Sequence, residues 1–225
     1  RRITDYGKEV TKKLVADLAA QNVLVVSGLA YGVDTVAHSA SLDSGLQTVG
    51  VLAHGLNTIY PAQNKSLAKR MVAQGGLLSE YRSVEEMHPY KFPSRNRVVA
   101  GMCDAVVVVE SAAEGGALIT ANIANSYNRD VFAYPGRAND KFSAGCNFLI
   151  KTFKAKMIDS ADDLLKEMNW LDKEQSGKSK VQQRQLALTL NNEEQGIYNL
   201  LNEKSELAID EIADATQMNV SILTA

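Results

Sequence analysis

The 225-residue sequence has few of the residues that mark disulfide-rich, metal-binding or membrane-spanning proteins. It contains two cysteines and three histidines, and none of them has the spacing of a zinc site, so we expect no metal and no disulfide framework. No run approaches the roughly 18 apolar residues of a membrane span, and no secretory signal pattern opens the chain. These absences favour a cytoplasmic protein that does not contact a membrane.

Charge is distributed unevenly along the chain. Residues 1–160 carry 18 Lys and Arg against 14 Asp and Glu, a net charge of +4, whereas residues 161–225 carry 6 against 12, a net charge of −6. A mildly basic body suits a polyanionic ligand, while the acidic tail argues against DNA binding by the tail itself. The length allows one complete α/β domain with a smaller appendage.

Short apolar strands alternate with helical patterns over residues 1–160. The strands are predicted at residues 23–26, 47–52, 76–79, 105–109, 131–134 and 155–158. This order is typical of βαβ units and predicts an α/β fold with a Rossmann-like, doubly wound, mostly parallel sheet. Four strands end in small or turn residues, so we expect open backbone along the carboxyl edge of the sheet, where such folds bind ligands.

The rest of the chain is predicted to form a closing helix and polar linker over residues 161–190, followed by a helical unit over 191–225. Ile197, Leu200 and Leu201 give the first helix of this unit an apolar face, and two shorter helical patterns follow at 208–215 and from 220. Three short helices at this spacing, without wing strands, predict a partial, truncated winged-helix unit.

Residues 90–122 combine cationic side chains with a glycine-bearing loop. The segment KFPSRNR (91–97) precedes a short helix of small residues and the apolar strand at 105–109, and Gly115 and Gly116 then open a new helix. Backbone N–H groups at the end of a buried strand, with the N-terminus of the next helix, form the usual anion site of an open α/β sheet. We therefore predict a phosphate-backbone site here.

Most of these side chains also have a structural interpretation. Arg95 and Arg97 could cap the following helix or form ion pairs, and Lys65 could simply be solvated. Phe92 could be a core residue, but an aromatic ring beside a cation also suits base stacking, at roughly 1–3 kcal/mol per base. Gly115 and Gly116 have the fewest competing explanations, because paired glycines permit close backbone approach.

The histidines and carboxylates do not predict catalysis. Asp34 and His38 lie one helical turn apart and are expected to bond to each other, while His54 could contact a phosphate or pack at the surface. No serine has the G-x-S-x-G setting of a nucleophile elbow, and Glu80 and Glu110 lack a paired carboxylate. We expect no catalytic residue and no cofactor.

Seven segments, in order, resemble motifs of the DNA-processing protein DprA/Smf family. They are SGLAYGVDTVAH (27–38), YPAQNKSLAKR (60–70), LLSEY (77–81), FPSRNRVVAG (92–101), VVVVESAAEGGALITA (106–121), VFAYPG (131–136) and SAGCNFLI (143–150). The FPSRNR block alone is rather specific. The resemblance covers residues 1 to 160 and implies a Rossmann-like domain that binds single-stranded DNA and forms homodimers. The tail from Leu186 resembles the family's small winged-helix domain.

The resemblance also implies a function and a set of site residues. The family protects incoming DNA during natural transformation, or competence, and helps load the RecA recombinase for DNA recombination. The residues expected to contact DNA are Arg1, Gly28, Gly55, Lys65, Lys91, Phe92, Arg95, Asn96, Gly115, Gly116, Leu118 and Thr120. Arg97 is expected to be a structural partner of Glu110 or Asp104, and the dimer contact is expected over residues 148–158.

Two departures from the family's pattern affect this site. The family's opening strand, which ends in Gly-Ser-Arg, is represented only by Arg1. Where the family often has Gly-Ser-Gly-Ser-Leu-Ile-Thr, this chain has EGGALIT (114–120). The second departure removes one or two hydroxyl donors and leaves more of the contact to backbone amides.

Two other functions stay open. Rossmann-like nucleoside-monophosphate phosphoribohydrolases also carry a Gly-Gly loop after a Val-rich strand, but theirs reads Pro-Gly-Gly-x-Gly-Thr and is followed by catalytic acids. Here Glu114 precedes the glycines and Asn122 occupies the region where an acid is needed, which disfavours hydrolysis. A pure protein adaptor, recruiting partners through its dimer and acidic tail, is predicted to have no affinity for DNA.

Overall fold

The structure is a computed structural model that describes residues 3–85, 87–171, 192–203, 207–216, 218–219 and 223. The chain divides into two compact units, Arg1–Lys173 and Glu174–Ala225. Arg1, the polar linker and nearly all of the helix expected from residue 220 lie outside the described residues. The domain boundaries after residues 160 and 190 stay predictions.

Helices and strands of the first unit alternate as expected. Its helices are α1 (Asp5–Asp17), α2 (Val33–Asp43), α3 (Lys65–Gln74), α4 (Lys91–Met102), α5 (Gly116–Ser126), α6 (Ala144–Lys151) and α7 (Ala161–Glu167). Its strands are β1 (Val25–Ser27), β2 (Thr48–Leu52), β3 (Gly75–Ser79), β4 (Ala105–Val108), β5 (Asp130–Ala133) and β6 (Lys156–Met157). The second unit contains α8 (Asn192–Glu203) and α9 (Ile209–Thr216).

All strand pairs in the described ranges are parallel, which confirms the α/β fold class. The strands form two three-stranded sheets, in the orders β1-β2-β3 and β4-β5-β6, instead of one continuous ladder. In register, Val26 lies opposite Val49 and Val107 opposite Phe132. The two ladders stay separate because no strand within the described ranges pairs with the outer edge of β1 or of β4.

Helices cover both faces of the second sheet. Along β5 and just after it, Val131 and Ala133 pack in a cluster with residues of α4, α5 and α6, whereas Phe132 and Tyr134 pack in another with residues of α1 and α7. Successive side chains of a strand point to opposite faces, so the two clusters lie on opposite sides of the sheet. Complete burial of a side chain such as Phe132 stabilises the fold by roughly 1.5–3 kcal/mol.

Helix α4 begins earlier than predicted, because KFPSRNR (91–97) is itself helical and does not merely precede the helix. Pro93 occupies the third position of the helix, where its missing N–H costs nothing because first-turn N–H groups have no acceptor within the helix. Consecutive residues of the segment therefore point in different directions around the helix.

His38 bonds to Thr48 and not to Asp34, so the predicted pair was wrong. The Thr48 hydroxyl donates to the Val25 carbonyl at 2.8 Å and accepts from Nδ1 of His38 at 2.6 Å, which leaves Nε2 buried with no hydrogen-bond partner among the described atoms. The Asp34 carboxylate instead accepts from two backbone N–H groups of the turn after β1. Those open amides outcompete the histidine for the carboxylate.

Stability is expected to depend on pH through His38. Burial lowers the pKa of His38 from 6.5 to about 4, with Asp34 opposing and Arg95 reinforcing this shift. The unfolded chain therefore binds this proton at higher pH than the folded chain does, and stability falls as the pH drops from 6.5 towards 4, by about 3 kcal/mol in total. Denaturant titrations of the wild type and His38→Gln across this window should show a flatter profile for the variant. If the stability of both proteins depended equally on pH, His38 would not be the group responsible.

Candidate nucleic-acid interface

The carboxyl edges of both sheets lie at the same end of the first unit. Helices α4 and α5 pack together, and a Cβ added to Gly101, near the end of α4, would lie 3.7 Å from the ring of Tyr127, which follows α5. The two helices thus run side by side in the same direction. Helix α5 starts after β4, and Arg95, in the first half of α4, bonds to the ends of β1 and β2. The strand ends therefore face one side, which we call the carboxyl edge.

Four helices that begin at the carboxyl edge have neither a side-chain cap nor an acidic residue in the first turn. The residues that precede α3, α4, α5 and α6 make no capping hydrogen bond through their side chains, and none of these helices has an acidic residue in its first turn. In contrast, hydroxyls of Thr4 and Ser160 cap α1 and α7, which do carry acidic residues in their first turns. Some of their first-turn N–H groups already donate to main-chain carbonyls, as those of Lys91 to His88 and of Gly145 to Ser111 do. The N–H groups that stay open and the helix dipoles carry partial positive charge, so the four starts favour an anionic ligand.

Gly115 and Gly116 differ in what a side chain would meet. A Cβ on Gly115 would overlap Oγ of Ser111, whereas a Cβ on Gly116 would have no atom within 4 Å. Gly116 is exposed and is the first residue of α5. In the next turn, Leu118 packs against the core and the Thr120 hydroxyl donates to the Gly116 carbonyl at 3.5 Å. The edge is therefore open to a ligand at Gly116.

Lys65 lies at the first position of α3 and is exposed. The helix start is fixed because the side-chain amide of Asn64 donates to the Leu29 carbonyl at 2.9 Å, next to the end of β1. Lys65 forms no ion pair with any residue that the structure describes, and residues 56–74 contain no Asp or Glu. Its ammonium group can therefore meet an anion at the carboxyl edge.

Arg95 is almost completely buried, with 5% of its surface exposed. Nη1 of its guanidinium donates to the Gly28 carbonyl at 2.8 Å and to the Val51 carbonyl, and Nε donates to Oδ1 of Asn96 at 3.2 Å. Burial lowers the pKa of Arg95, and Asp34 opposes this shift. The side chain ties α4 to the ends of β1 and β2, and a direct contact of Arg95 or Asn96 with DNA stays a prediction.

Lys91 also faces protein. It is 4% exposed, its Nζ lies 3.0 Å from Oε2 of Glu85, and the same atom lies 4.5 Å from the centre of the Tyr81 ring. Its charge is therefore partly balanced within the chain. The phosphate contact predicted for Lys91 requires this arrangement to open.

Two predicted glycines are covered by neighbouring segments. The N–H of Gly28 donates to the Asp34 carboxylate at 3.0 Å, and a Cβ at Gly28 would overlap the Arg95 guanidinium. Gly55 is buried, and a Cβ there would overlap the backbone at Ser83. Both glycines allow close packing at the strand ends, and their predicted contacts with DNA remain untested.

Arg97 bonds to Glu80 and not to Glu110 or Asp104, so the predicted partners were wrong. Because residues 91–97 are helical, Arg97 points towards the end of β3, where Glu80 lies. Glu110 instead accepts hydrogen bonds from the N–H and the hydroxyl of Thr4, which joins the start of α1 to the end of β4.

His54 is 2% exposed, which excludes the surface position considered for it. Its Nδ1 lies 2.9 Å from the Gly55 carbonyl oxygen. Because that oxygen can only accept, Nδ1 carries the hydrogen and donates. The ring stabilises the turn after β2 and does not face a ligand.

Sequence reasoning missed two features of the carboxyl edge. The ring of Tyr60 contacts the ring of Phe92, with 5.7 Å between their centroids. Arg137 and Lys141 are exposed in the loop after β5, and this loop accepts a 2.8 Å hydrogen bond from the Ser111 N–H. No spacing along the sequence signals these contacts, because each joins segments that follow different strands.

The described residues were compared with the requirements of a metal site, a membrane span and a reactive thiol. No cluster of His, Cys, Asp or Glu in the described part of the chain could hold a metal ion, and none of its helices has the length and apolar character of a membrane span. Cys103 and Cys146 are free thiols, and burial raises the pKa of both to about 11. Neither thiol is therefore activated as a nucleophile.

Comparison with protein families identifies the family of this chain. Residues 1–169 match the family model of DNA recombination-mediator protein A. The chain belongs to this family. The resemblance to DprA/Smf proteins that the motifs predicted is thus confirmed.

Curated DprA/Smf relatives match most of the chain. Protein Smf of Synechocystis is 42% identical over 162 residues, which cover 72% of this chain and 40% of that protein. DprA of Streptococcus pneumoniae is 39% identical over 170 residues, covering 76% and 60%, and DprA of Bacillus subtilis is 39% identical over 168 residues, covering 75% and 56%. The chain therefore spans about 40–60% of the length of these relatives.

Two solved DprA structures share the fold. DprA from Streptococcus pneumoniae superposes with a TM-score of 0.67 at 40% identity, covering 73% of this chain and 57% of that chain. DprA from Helicobacter pylori superposes with a TM-score of 0.67 at 30% identity, covering 75% and 76%, and is described for its unique single-stranded DNA binding mode.

Proposed function

We propose that this DprA-family chain binds single-stranded DNA along the carboxyl edge and does not alter it chemically. The observation that carries the proposal is the convergence of four uncapped, acid-free helix starts with the exposed Lys65. Phosphates can accept from backbone N–H groups at such starts and pair with lysine, whatever the base sequence. The DNA binding mode described for the Helicobacter pylori relative supports the choice of ligand.

Different residues have different roles in this proposal. Gly116 and Lys65 contact phosphates, and Arg1, which lies outside the described residues, adds a cation. Arg95 and the closely packed glycines at residues 28 and 55 hold the strand ends in place. Bases turn outward or stack on aromatic side chains at this edge, among which Phe92 was predicted, so sequence preference is weak. Duplex DNA binds less well, because a narrow edge accommodates one backbone.

The wider role that we propose is that of the family. The chain protects incoming DNA in the cytoplasm and helps load the RecA recombinase onto it during natural transformation. A homodimer contact over residues 148–158 fits the exposed apolar side chains of Phe148, Phe153 and Met157, of which Phe153 is 95% exposed. A long strand that engages both copies gains affinity through effective concentration.

A titration with three ligands over a series of salt concentrations tests the proposal. Single-stranded oligonucleotides should bind with an affinity that falls steeply as salt rises, duplex should bind more weakly, and AMP should not be hydrolysed. Turnover of AMP would support the phosphoribohydrolase alternative. Absence of affinity for any nucleic acid would support the adaptor.

Replacing Lys65 with alanine should weaken binding to all sequences alike. Loss of one phosphate contact lowers the slope of log affinity against log salt by about 0.7 for a single strand. Lys13→Ala is the matched control, since Lys13 is an exposed lysine on α1, more than two turns from the helix start at this edge. Equal slopes for the two variants would exclude Lys65 from phosphate contact.

A further inference from the structure

Two aromatic rings meet at the carboxyl edge although their segments are distant in sequence. Tyr60 precedes the turn that leads into α3, and Phe92 is the second residue of α4. Their ring centroids lie 5.7 Å apart with an angle of 64° between the ring planes, an edge-to-face arrangement. Tyr60 remains 44% exposed, so the contact leaves part of its ring surface open to solvent.

The backbone that carries Tyr60 is held firmly. Pro61 is fully buried, and Asn64, three residues later, is 4% exposed and bonds to the Leu29 carbonyl. The hydroxyl of Tyr31, another partly exposed aromatic residue, donates to Gln63 in the same turn. The exposed Tyr60 ring is therefore presented from a fixed turn and not from a free loop.

The chemistry around this ring pair suits a nucleobase next to a phosphate. Lys65 follows Tyr60 by five residues at the start of α3, and residues 56–74 contain no acidic side chain. An unstacked base can lie on an exposed aromatic face whatever its identity, because every base has a π-face. Bases in a duplex are already stacked and cannot do so without unpairing.

We propose that Tyr60 and Phe92 together form a base-stacking platform that selects unpaired bases beside the phosphate contacts. The proposal rests on the proposed function, and it adds a second aromatic residue and a physical reason for preferring single strands. Phe92 braces the Tyr60 ring through its edge-to-face contact, and a base stacks on the exposed Tyr60 ring. Phosphate contacts set the salt dependence, whereas the platform contributes affinity that does not depend on salt.

The test uses the full chain and two probes, an oligothymidylate and an abasic oligomer of the same length. The wild type should bind the oligothymidylate about tenfold more tightly than the abasic strand. Tyr60→Leu keeps an apolar side chain against Phe92 but removes the aromatic face, so it should lower the affinity for the oligothymidylate to that for the abasic strand. Its affinity for the abasic strand and both salt slopes should stay unchanged, and Tyr60→Phe should retain wild-type affinity.

Tyr127→Leu is the control, because Tyr127 is an equally exposed tyrosine at the far end of α5 and should affect neither probe. Equal affinities of Tyr60→Leu and the wild type for oligothymidylate would overturn the platform while leaving the proposed function intact. An equal loss on both probes would show a structural role and would also overturn it. If the wild type bound neither probe at any salt concentration, the proposed function itself would fail.

Discussion

Gly116→Glu should weaken single-stranded DNA binding at least about tenfold, which corresponds to 1.4 kcal/mol, without disturbing the fold. A Cβ added at this position meets no atom within 4 Å, so a side chain can leave the backbone here without overlap. A carboxylate in the first turn of a helix is also favourable for the helix itself. The same carboxylate would occupy the open N–H groups and repel a phosphate, so the loss should be confined to binding. Equilibrium titrations with a labelled oligonucleotide, together with thermal unfolding, measure both effects.

Gly76→Glu provides the matched control for this variant. Gly76 lies near the start of β3, away from the carboxyl edge, and a Cβ there also has no atom within 4 Å. The two variants change the net charge equally, so a difference between them reports on position. If both variants bound DNA as the wild type does, the start of α5 would not be a phosphate site.

Arg95→Ala should lower the free energy of unfolding by about 2–4 kcal/mol. The change removes the donor to two main-chain carbonyls, those of Gly28 and Val51, and leaves both acceptors in a buried environment. If Arg95 only holds α4 against the ends of β1 and β2, the folded variant should bind DNA more weakly, but the slope of log affinity against log salt should stay unchanged. A direct phosphate contact, as the sequence motif predicted, would flatten the slope. Chemical denaturation and salt-dependent titrations separate the two roles.

Arg97→Ala is the natural comparison for Arg95→Ala, because both residues belong to the same helix and both changes remove one positive charge. The guanidinium of Arg97 is half-exposed and bonds only to the Glu80 carboxylate among its described neighbours. An exposed ion pair contributes roughly 0–1 kcal/mol. A loss of stability in Arg97→Ala as large as that in Arg95→Ala would contradict the structural role of the buried arginine.

The order of strands and helices was predictable because it depends on local patterns. β-branched runs bounded by glycine, as at β4, and helical periodicity in the intervening segments identified each element of the first unit. The separation into two sheets was not predictable, since strand pairing depends on which edges meet in space. The early start of α4 was missed because only the small residues after Arg97 were assigned to a helix, although proline is compatible with a first turn.

The location of the candidate site was predictable, but the orientation of its side chains was not. Glycines after strands identified the carboxyl edge, because that edge follows from parallel topology. Whether an arginine in KFPSRNR (91–97) faces solvent or carbonyl groups depends on helical phase and on the loops packed against it. Arg95 is buried while Arg97 is exposed, although the two are only two residues apart. The Tyr60–Phe92 contact likewise depends on a loop and a helix start that meet only after folding.

Backbone-amide NMR of the full chain, recorded with and without an oligothymidylate, shows directly which surface binds DNA. We predict binding along the carboxyl edge, with the largest shifts at Gly116, Ala117, Lys65 and Phe92. Residues 153–157, which line a cleft of about 470 Å³ at the opposite ends of β5 and β6, should not shift. Shifts concentrated in that cleft, with none at the helix starts, would contradict this prediction.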